Sequence, residues 1–190
     1  MTTPSAPGDS SMIHIADYDD EWPARFAILR DELSATLTTM GVPFLAIEHV
    51  GSTSVPGLAA KPIIDCDIVV TAESVPSASA ALVAAGFEAL GDLGVPLRWA
   101  FIPPPHLART NVYVTVQGSV SLRNHLAVRD VLRRRPDLRD MYADAKRRAA
   151  DVAADLDDYT KRKSDVLQDI LRVGGLSAEE RAAILSLNSD

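Results

Sequence analysis

The sequence is poor in the features that mark secreted and membrane proteins. Cys66 is the only cysteine among 190 residues, so the chain cannot form an internal disulfide, which fits a reducing cytoplasm. No apolar run is long enough to span a bilayer. The first residues, MTTPSAPGDSS, lack the apolar stretch of a signal peptide, and we predict a disordered leader over residues 1–11. We therefore expect a cytoplasmic protein without a membrane partner.

The chain also lacks the excess of positive charge that favours nonspecific nucleic-acid binding. It has 19 lysines and arginines against 26 aspartates and glutamates, a formal net charge of -7, so we expect no nucleic-acid partner. Residues 121–172 are locally basic, with thirteen lysines and arginines against ten acidic residues. Because the two signs alternate there, solvated faces of amphipathic helices are the simplest interpretation of this segment.

The pattern of apolar residues, which make up 47% of the chain, predicts alternating helices and strands in the first part of the sequence. Apolar residues recur at steps of three and four within residues 19–41, and a second helix is expected between Ser74 and Gly86. Four segments rich in β-branched and aromatic residues are predicted as strands: FLAIEHV, PIIDCDIVV, LRWAFIP and NVYVTV.

After Gly118 the pattern is helical throughout. Three long helical segments are followed by a short one, in which Ser177 and Glu180 have the spacing of a capping box. We therefore predict an α/β (α+β) protein. A mixed sheet of four or five strands with flanking helices would occupy residues 12–118, and a C-terminal helical region over residues 119–190 would pack on it.

Two aspartates, Asp65 and Asp67, interrupt the apolar strand PIIDCDIVV. Because side chains alternate along a strand, both carboxylates point to one face while Cys66 points to the other. Two adjacent carboxylates repel each other, and a cation offsets that cost. Mg²⁺ or Mn²⁺, bound by both carboxylates together with water and phosphate oxygens, would fit this pattern. The alternative is a strand end with two ordinary solvated acids.

A Gly-Ser pair ends the preceding strand and precedes the two aspartates by about a dozen residues. Gly51 allows the backbone to approach a phosphate closely, and the hydroxyls of Ser52 and Ser54 together with nearby N–H groups can donate to phosphate oxygens. A phosphate-binding turn, a short connector and a D-x-D strand together predict a site for a nucleoside triphosphate over a metal ion.

The whole motif, HVGSTSVPGLAAKPIIDCDIVV over residues 49–70, resembles the signature of the GrpB family (UPF0157 type) of the DNA polymerase β-like nucleotidyltransferase superfamily. The resemblance continues in RTNVYV, in RDVLRRRPDLRDMYADAK and in YTKRK. It implies a nucleotidyltransferase-like mixed sheet, with Gly51 and Ser52 on the phosphate side and Asp65 and Asp67 as the metal-binding and catalytic pair.

Superfamily enzymes usually have a third carboxylate on a later strand, and the strand that matches it here is NVYVTV. Asn111, Tyr113 and Thr115 share one face of this strand, and none of them is acidic. We expect Asn111 and Tyr113 to point toward the two aspartates. A one-metal enzyme, a degenerate enzyme and a binding protein all remain open at this point.

Several residues near the motif are further candidates. Glu48 could supply the missing acid, and His49 is interpreted either as a ligand contact or as a structural histidine. They alternate on a strand, so only one of them can face the site. Lys61 is interpreted either as a phosphate ligand or as a solvated loop lysine. The other histidines show no metal-ligand spacing, and we assign them no role: His14, His106 and His125.

Two Tyr–Lys pairs in the C-terminal half have the i, i+4 spacing of neighbours on one helix face: Tyr142 with Lys146, and Tyr159 with Lys163. They could line a cleft over the sheet in which the lysines meet phosphate groups. Alternatively, they are core tyrosines with lysines that reach past them to solvent. Arg123 is a further candidate for a phosphate contact.

These motifs favour an enzyme that transfers a nucleotidyl group from an NTP to an unknown small acceptor, with Mg²⁺ or Mn²⁺ as cofactor. The first alternative is a non-catalytic protein that binds a nucleotide or a phosphorylated metabolite, which the missing third acid favours. The second is an accessory interaction domain, because GrpB-like segments occur fused to a kinase of coenzyme A biosynthesis. Fold does not decide between these three.

Overall fold

The computed structural model describes residues 14–152, 158, 160, 162 and 164–187. The predicted leader over residues 1–11 lies outside these residues, as do Tyr159 and Lys163. None of the described helices is both long enough and apolar enough to cross a membrane.

The described part of the chain contains five strands and six helices. The strands are β1 (Ala46–Val50), β2 (Ile64–Val70), β3 (Glu88–Gly91), β4 (Arg98–Ile102) and β5 (Thr110–Val116). The helices are α1 (Trp22–Thr39), α2 (Val75–Ala84), α3 (Val120–Arg134), α4 (Pro136–Val152), α5 (Ser164–Val173) and α6 (Ala178–Leu187).

The five strands form one mixed sheet in the order β1-β2-β5-β4-β3. Only β2 and β5 are parallel, and the other three neighbouring pairs are antiparallel. This architecture confirms the predicted fold class. The edge strand β3 was not predicted, because its four residues are all exposed and show no apolar alternation.

One face of the sheet is apolar and is covered by α1 and α2. The side chains of β2 and β5 that point to this face are buried together with apolar residues of both helices. Full burial of each large aliphatic side chain contributes about 1.5–3 kcal/mol. The largest members of this core include Trp22, Leu29, Leu33, Leu37, Ile64, Ile68 and Leu82.

The opposite face of the sheet meets the C-terminal helices. Helix α3 contacts β1 and β5, and it also packs against α4, α5 and α6. A second core joins the loop after β1 to these helices through Val55, Leu58, Leu132 and Ile170. The C-terminal helices are therefore placed over the sheet face that carries the two aspartates.

Local hydrogen bonds fix the starts of two of these helices. The side chain of Ser119 accepts a hydrogen bond of 3.2 Å from the N–H of Leu122 at the start of α3. Before α6, the N–H of Ser177 donates to the Glu180 carboxylate (2.8 Å) and the N–H of Glu180 donates to the Ser177 hydroxyl (3.2 Å). The second arrangement is the capping box that the sequence predicts.

Candidate functional site

The strand register brings the polar side chains of three strands to one face of the sheet. Asp65 lies opposite Val50 of β1 and Asn111 of β5, and Asp67 lies opposite Glu48 and Tyr113. Asp67 is fully buried and Asp65 is half-buried. Cys66 points into the apolar core on the other face, as the alternation predicts.

Gly51 packs directly against the carboxylate of Asp65. Its backbone has φ 68° and ψ -174°, a region that almost only glycine adopts. A Cβ atom added to Gly51 would lie 2.0 Å from Oδ2 of Asp65, a contact that no side chain could make. The glycine therefore allows the turn after β1 and the first aspartate of β2 to touch.

The residues after Gly51 form a single 3-10 turn, Ser52–Ser54. Ser52 is half-buried and lines a cavity beside Asp65. Ser54 is buried, and its hydroxyl donates to the carbonyl of Gly51 at 2.6 Å. We predicted a phosphate contact for Ser54, but the structure shows that its hydroxyl stabilises the turn.

The buried carboxylate of Asp67 accepts hydrogen bonds from two side chains. Thr115 donates to Oδ1 (3.2 Å), and Nδ1 of His125 lies 2.7 Å from Oδ2. Burial opposes protonation of His125, but the charge and hydrogen bond of Asp67 outweigh it, so the pKa of His125 is raised above its ordinary value. Asp67 is therefore held in a fixed orientation.

His125 was not predicted as a site residue, because it lies 58 residues from Asp67 and has no metal-ligand spacing. A weak signal was present in α3. His125 and Arg129 fall at the i+3 and i+7 positions after the buried Leu122, where an amphipathic helix usually has apolar residues. Polar residues at such positions indicate a polar partner on the packed side of the helix.

Arg129 is the partner of Glu48. Its Nη1 lies 2.6 Å from Oε2 of Glu48 and 3.1 Å from the carbonyl oxygen of His49. Glu48 therefore points to the face that carries Asp67, but an arginine that is only 13% exposed neutralises it. Glu48 is the residue that could have supplied the missing acid, and in the structure it belongs to an ion pair.

His49 points to the other face of the sheet, and our expectation that it could contact a ligand is wrong. Its ring stacks on Phe26 of α1 with centroids 4.5 Å apart, and its Nε2 lies 3.1 Å from Oγ1 of Thr53. Burial, followed by the nearby charges of Arg133 and Arg129, lowers the pKa of His49 to about 4. It is a neutral core histidine at physiological pH.

The two candidate residues of β5 lie on the predicted face. The Asn111 amide donates to Oδ1 of Asp65 at 2.7 Å. The Tyr113 ring lies under the guanidinium of Arg98, 4.6 Å from ring centroid to Cζ. Burial and then the charge of Asp65 raise the pKa of Tyr113 to about 12, so its hydroxyl stays protonated. The third strand is therefore aligned as predicted, with an amide and a phenol on this face.

A cavity of about 230 Å³ opens beside Asp65, between the Gly-Ser turn and helices α3, α4 and α5. Oδ1 of Asn124, one of its lining residues, is buried and has no hydrogen-bond partner among the described residues. Polar groups of the sheet therefore share this cavity with apolar side chains of the helices. Its lining residues are Gly51, Ser52, Asp65, Asn124, His125, Val128, Tyr142, Thr160 and Leu167.

The Tyr142–Lys146 pair is divided between the cavity and the core. Tyr142 lines the cavity, and burial followed by the charge of Asp65 raises its pKa to about 12. Lys146 is 2% exposed, and its Nζ donates to the carbonyl of Ala59 at 2.7 Å. Our interpretation of Lys146 as a phosphate ligand is therefore wrong, because this lysine fixes α4 to the loop before β2.

Two other predicted phosphate ligands lie away from the cavity. Lys61 is half-buried in the loop before β2 and is not among the lining residues. Arg123 forms an ion pair of 2.7 Å with Glu180 of α6. The structure thus brings Gly51, Ser52 and Asp65 together at the cavity, and of the predicted cations that it describes, Lys61, Lys146 and Arg123 are not among the lining residues.

Asp65 and Asp67 are the residues that could hold a divalent cation together with a phosphate ligand. Among the described residues, no group of three or more His, Cys, Asp and Glu side chains is arranged to hold a metal. Mg²⁺, however, is usually bound through one or two carboxylates and completes its shell with water and substrate phosphates. Asp65 and Asp67 supply such a pair of hard oxygen ligands.

A mixed sheet that carries a Gly-Ser turn after β1 and a D-x-D pair on β2 defines a nucleotidyltransferase-like fold. The family model described as GrpB protein matches residues 12–173 of the sequence. The chain therefore belongs to the GrpB family, as the motif predicted.

Known relatives agree with this assignment. A UPF0157 protein from Streptomyces coelicolor is 37% identical over 164 residues, which cover 82% of this chain and 80% of the relative. The crystal structure of the conserved protein GrpB from Enterococcus faecalis matches with a TM-score of 0.71 and 28% identity, over 86% of this chain and 100% of that one. A chain of the GLD-2/RNP-8 complex matches in fold alone, with a TM-score of 0.54 and 16% identity over 85% of this chain and 62% of that one.

Proposed function

We propose that this protein is a metal-dependent nucleotidyltransferase that uses an NTP and a small acceptor. The observation that carries the proposal is the contact between the Gly51 turn and the Asp65 carboxylate at the mouth of the cavity. A turn that can approach a phosphate closely and a carboxylate that can bind a cation are thereby placed side by side. Phosphate binding at the turn requires cation binding at the carboxylates, because a triphosphate and two aspartates repel each other without a cation.

The triphosphate would lie against Gly51 and Ser52. The absence of a side chain at Gly51 leaves the backbone open, and the Ser52 hydroxyl at the cavity wall can donate to a phosphate oxygen. Asp65 adjoins this position, and Asn111 orients it through the hydrogen bond to Oδ1. Phosphate and carboxylate oxygens would thus surround one point on the sheet face.

The nucleoside would occupy the cavity between the sheet and the helices. Val128 and Leu167 offer apolar contacts to a base, and Tyr142 adds an aromatic side chain. The buried, unpartnered Oδ1 of Asn124 can accept a hydrogen bond from the nucleoside. A buried hydrogen-bond acceptor without a partner destabilises the free protein, and a hydrogen bond from a ligand N–H or O–H would remove that cost.

Asp65 and Asp67 would hold the divalent cation, Mg²⁺ or Mn²⁺. A bound cation offsets the negative charge of the phosphate oxygens and of the departing pyrophosphate. Asp67 is oriented for this role by Thr115 and His125, which hold its carboxylate on the site face. Protonation of His125, which the charge of Asp67 favours, would offset part of the negative charge of the pair.

A non-catalytic nucleotide-binding protein is the second candidate. The strand β5 presents Asn111 and Tyr113 in place of a third carboxylate, so this strand lacks a base that could accept a proton from an attacking hydroxyl, and the nearby Glu48 is paired with Arg129. This observation favours binding without turnover, or an acceptor that needs no deprotonation.

Isothermal titration with each of the four NTPs, with and without Mg²⁺, tests the proposal. We expect one NTP to bind in the presence of Mg²⁺ and Asp65→Asn to weaken this binding about tenfold or more. Asp144→Asn, which changes an exposed carboxylate on α4, is the matched control and should bind like the wild type. If no NTP binds at millimolar concentration, the nucleotide assignment is wrong. Pyrophosphate release then separates an enzyme from a binding protein.

A further inference from the structure

The acceptor side of the site can be located from the geometry of phosphoryl transfer, and this step rests on the proposed function. In an in-line displacement, the attacking and leaving oxygens lie on opposite sides of the phosphorus atom. The leaving pyrophosphate is assigned to the Gly51–Ser52 turn, which follows β1. The acceptor must therefore approach from the other side of Asp65, where β5 and β4 continue the sheet.

Arg98 of β4 lies on that side and on the same face as the aspartates. It is paired in register with Thr115, whose hydroxyl donates to Asp67. Its guanidinium stacks on the Tyr113 ring at 4.6 Å, and Tyr113 is paired in register with Asp67. Arg98 is therefore a half-buried cation within one or two side chains of the aspartate pair.

No protein anion neutralises Arg98 among the residues that the structure describes. It forms no ion pair within 4.0 Å there, and its Nε is buried without a hydrogen-bond partner. Arg129, on the other side of the site, contrasts with it, because Arg129 binds Glu48 at 2.6 Å. A guanidinium is a rigid fork of donors that matches phosphate and carboxylate groups, so the surroundings of Arg98 lack the partner that it binds best.

Tyr113 adds a second donor beside Arg98. Its phenolic hydroxyl is a hydrogen-bond donor without a negative charge, so it can donate to an anion. The guanidinium on its ring also restricts the ring orientation. Arg98 and Tyr113 therefore form a small donor surface on the acceptor side of the site.

The absence of a carboxylate from β5 indicates which chemical class of acceptor the site can use. A hydroxyl acceptor must lose a proton as it attacks, and neither the amide of Asn111 nor the phenol of Tyr113 is a carboxylate that could take it. An oxyanion has no proton to lose. We propose that the acceptor is an oxyanion, a phosphate monoester or a carboxylate, which Arg98 and Tyr113 bind beside Asp67 and which attacks the α-phosphorus directly.

This reaction balances without a proton transfer. An oxygen of the acceptor anion forms a new bond to the α-phosphorus. The bond from that phosphorus to the α,β-bridging oxygen breaks, and pyrophosphate leaves with the electron pair. The products are an anhydride between the acceptor and the nucleotidyl group, and pyrophosphate. Arg98 offsets the repulsion between the acceptor anion and the triphosphate.

Titration of the full chain with inorganic phosphate and, separately, with acetate tests the acceptor site in the absence of nucleotide. We expect Arg98→Gln to weaken the binding of the preferred anion about tenfold or more, because a charge-assisted hydrogen-bond pair is lost. Tyr113→Phe should weaken it by a smaller factor, about threefold. Preference for phosphate identifies a phosphate ester as acceptor, and preference for acetate identifies a carboxylate.

Two control variants make the result specific. Arg30→Gln removes an exposed cation from α1 on the other side of the sheet, and Ser52→Ala removes a donor from the Gly-Ser turn. Arg30→Gln should bind the preferred anion within about twofold of the wild type, whereas Ser52→Ala, which alters the proposed triphosphate site, reports any phosphate that is bound at the turn. Loss of binding in Ser52→Ala with retention in Arg98→Gln would overturn the acceptor site, as would equal binding in all variants.

Folding and the nucleotide assignment are checked separately. If Arg98→Gln loses its native circular dichroism spectrum, Tyr113→Phe and Arg98→Lys, which keeps the charge without the fork, take its place. Unchanged anion binding in both would overturn the proposal. Normal NTP binding together with unchanged anion binding in Arg98→Gln refutes the acceptor site alone, whereas absence of NTP binding in the wild type refutes the proposed function itself.

Discussion

Replacement of Gly51 by alanine is the sharpest test of the site geometry. An alanine at this position would adopt φ 68° and ψ -174°, a backbone conformation that costs a residue other than glycine about 1–3 kcal/mol. Its Cβ would also lie 2.0 Å from Oδ2, 2.8 Å from Cγ and 2.9 Å from Cβ of Asp65. Overpacking of this kind costs about 1–3 kcal/mol. We therefore expect Gly51→Ala to lower the free energy of unfolding by about 2–6 kcal/mol.

A double-mutant cycle with Asp65→Ala separates the two contributions. Asp65→Ala removes Cγ and Oδ2, which are two of the three close contacts. The alanine at residue 51 should then cost about 1–3 kcal/mol less than in the wild type, because mainly the backbone contribution remains. The assay is equilibrium unfolding in urea, with the midpoint and slope compared for all four proteins.

Gly41→Ala is the matched control for the backbone contribution. Gly41 also has a positive φ, 65°, but no atom lies within 4 Å of its added Cβ. Its replacement should cost about 1–2 kcal/mol and should not depend on Asp65. An equal cost of Gly51→Ala with and without the Asp65 carboxylate would refute the contact on which the proposed function depends.

Three further predictions concern the buried polar groups. Asp67→Ala should lower the free energy of unfolding by about 1–3 kcal/mol, because it removes the carboxylate that accepts hydrogen bonds from Thr115 and His125. Asp65→Ala, which removes a carboxylate beside the cavity, should cost less than about 1 kcal/mol. Urea unfolding of both variants measures the difference. His49 has a pKa of about 4 in the folded protein against 6.5 ordinarily, so the unfolded chain binds the proton first as the pH falls. The free energy of unfolding should therefore drop by about 3 kcal/mol between pH 6.5 and pH 4. His49→Gln should abolish this loss in pH-dependent unfolding, and an unchanged pH dependence in that variant would contradict the assignment. Asn124→Leu should leave the stability of the free protein unchanged or raise its free energy of unfolding by about 1 kcal/mol, because it removes a buried oxygen that has no hydrogen-bond partner among the described residues. The same variant should bind NTP more weakly, as measured by calorimetry. Unaltered NTP binding would exclude Asn124 from the nucleoside site.

Local patterns in the sequence determined which faces the strand residues share. Alternation along β2 and β5 places Asp65, Asp67, Asn111 and Tyr113 on one side, and the register confirms it. The same rule required that only one of Glu48 and His49 could face the aspartates. These predictions succeed because side-chain direction in a strand is a property of the backbone and does not depend on distant contacts.

The sequence could not predict the edge strand or the role of the predicted lysine. The strand β3 is exposed on both faces, so no apolar alternation marks it. Lys146 shares an i, i+4 pattern with Tyr142, but a pattern on one helix does not specify what the helix packs against. In the structure the packing of α4 buries the lysine against the carbonyl of Ala59.

The sequence by itself therefore determined four of the five strands, the Gly-Ser turn and the aspartate pair, because each of these depends on residues that are close along the chain. Only the tertiary structure decided which groups surround the pair. His125 reaches Asp67 across 58 residues, and Arg129 reaches Glu48 across 81. These contacts arise where α3 packs on the sheet, and that packing is set by the combined burial of many side chains, which no single spacing in the sequence encodes.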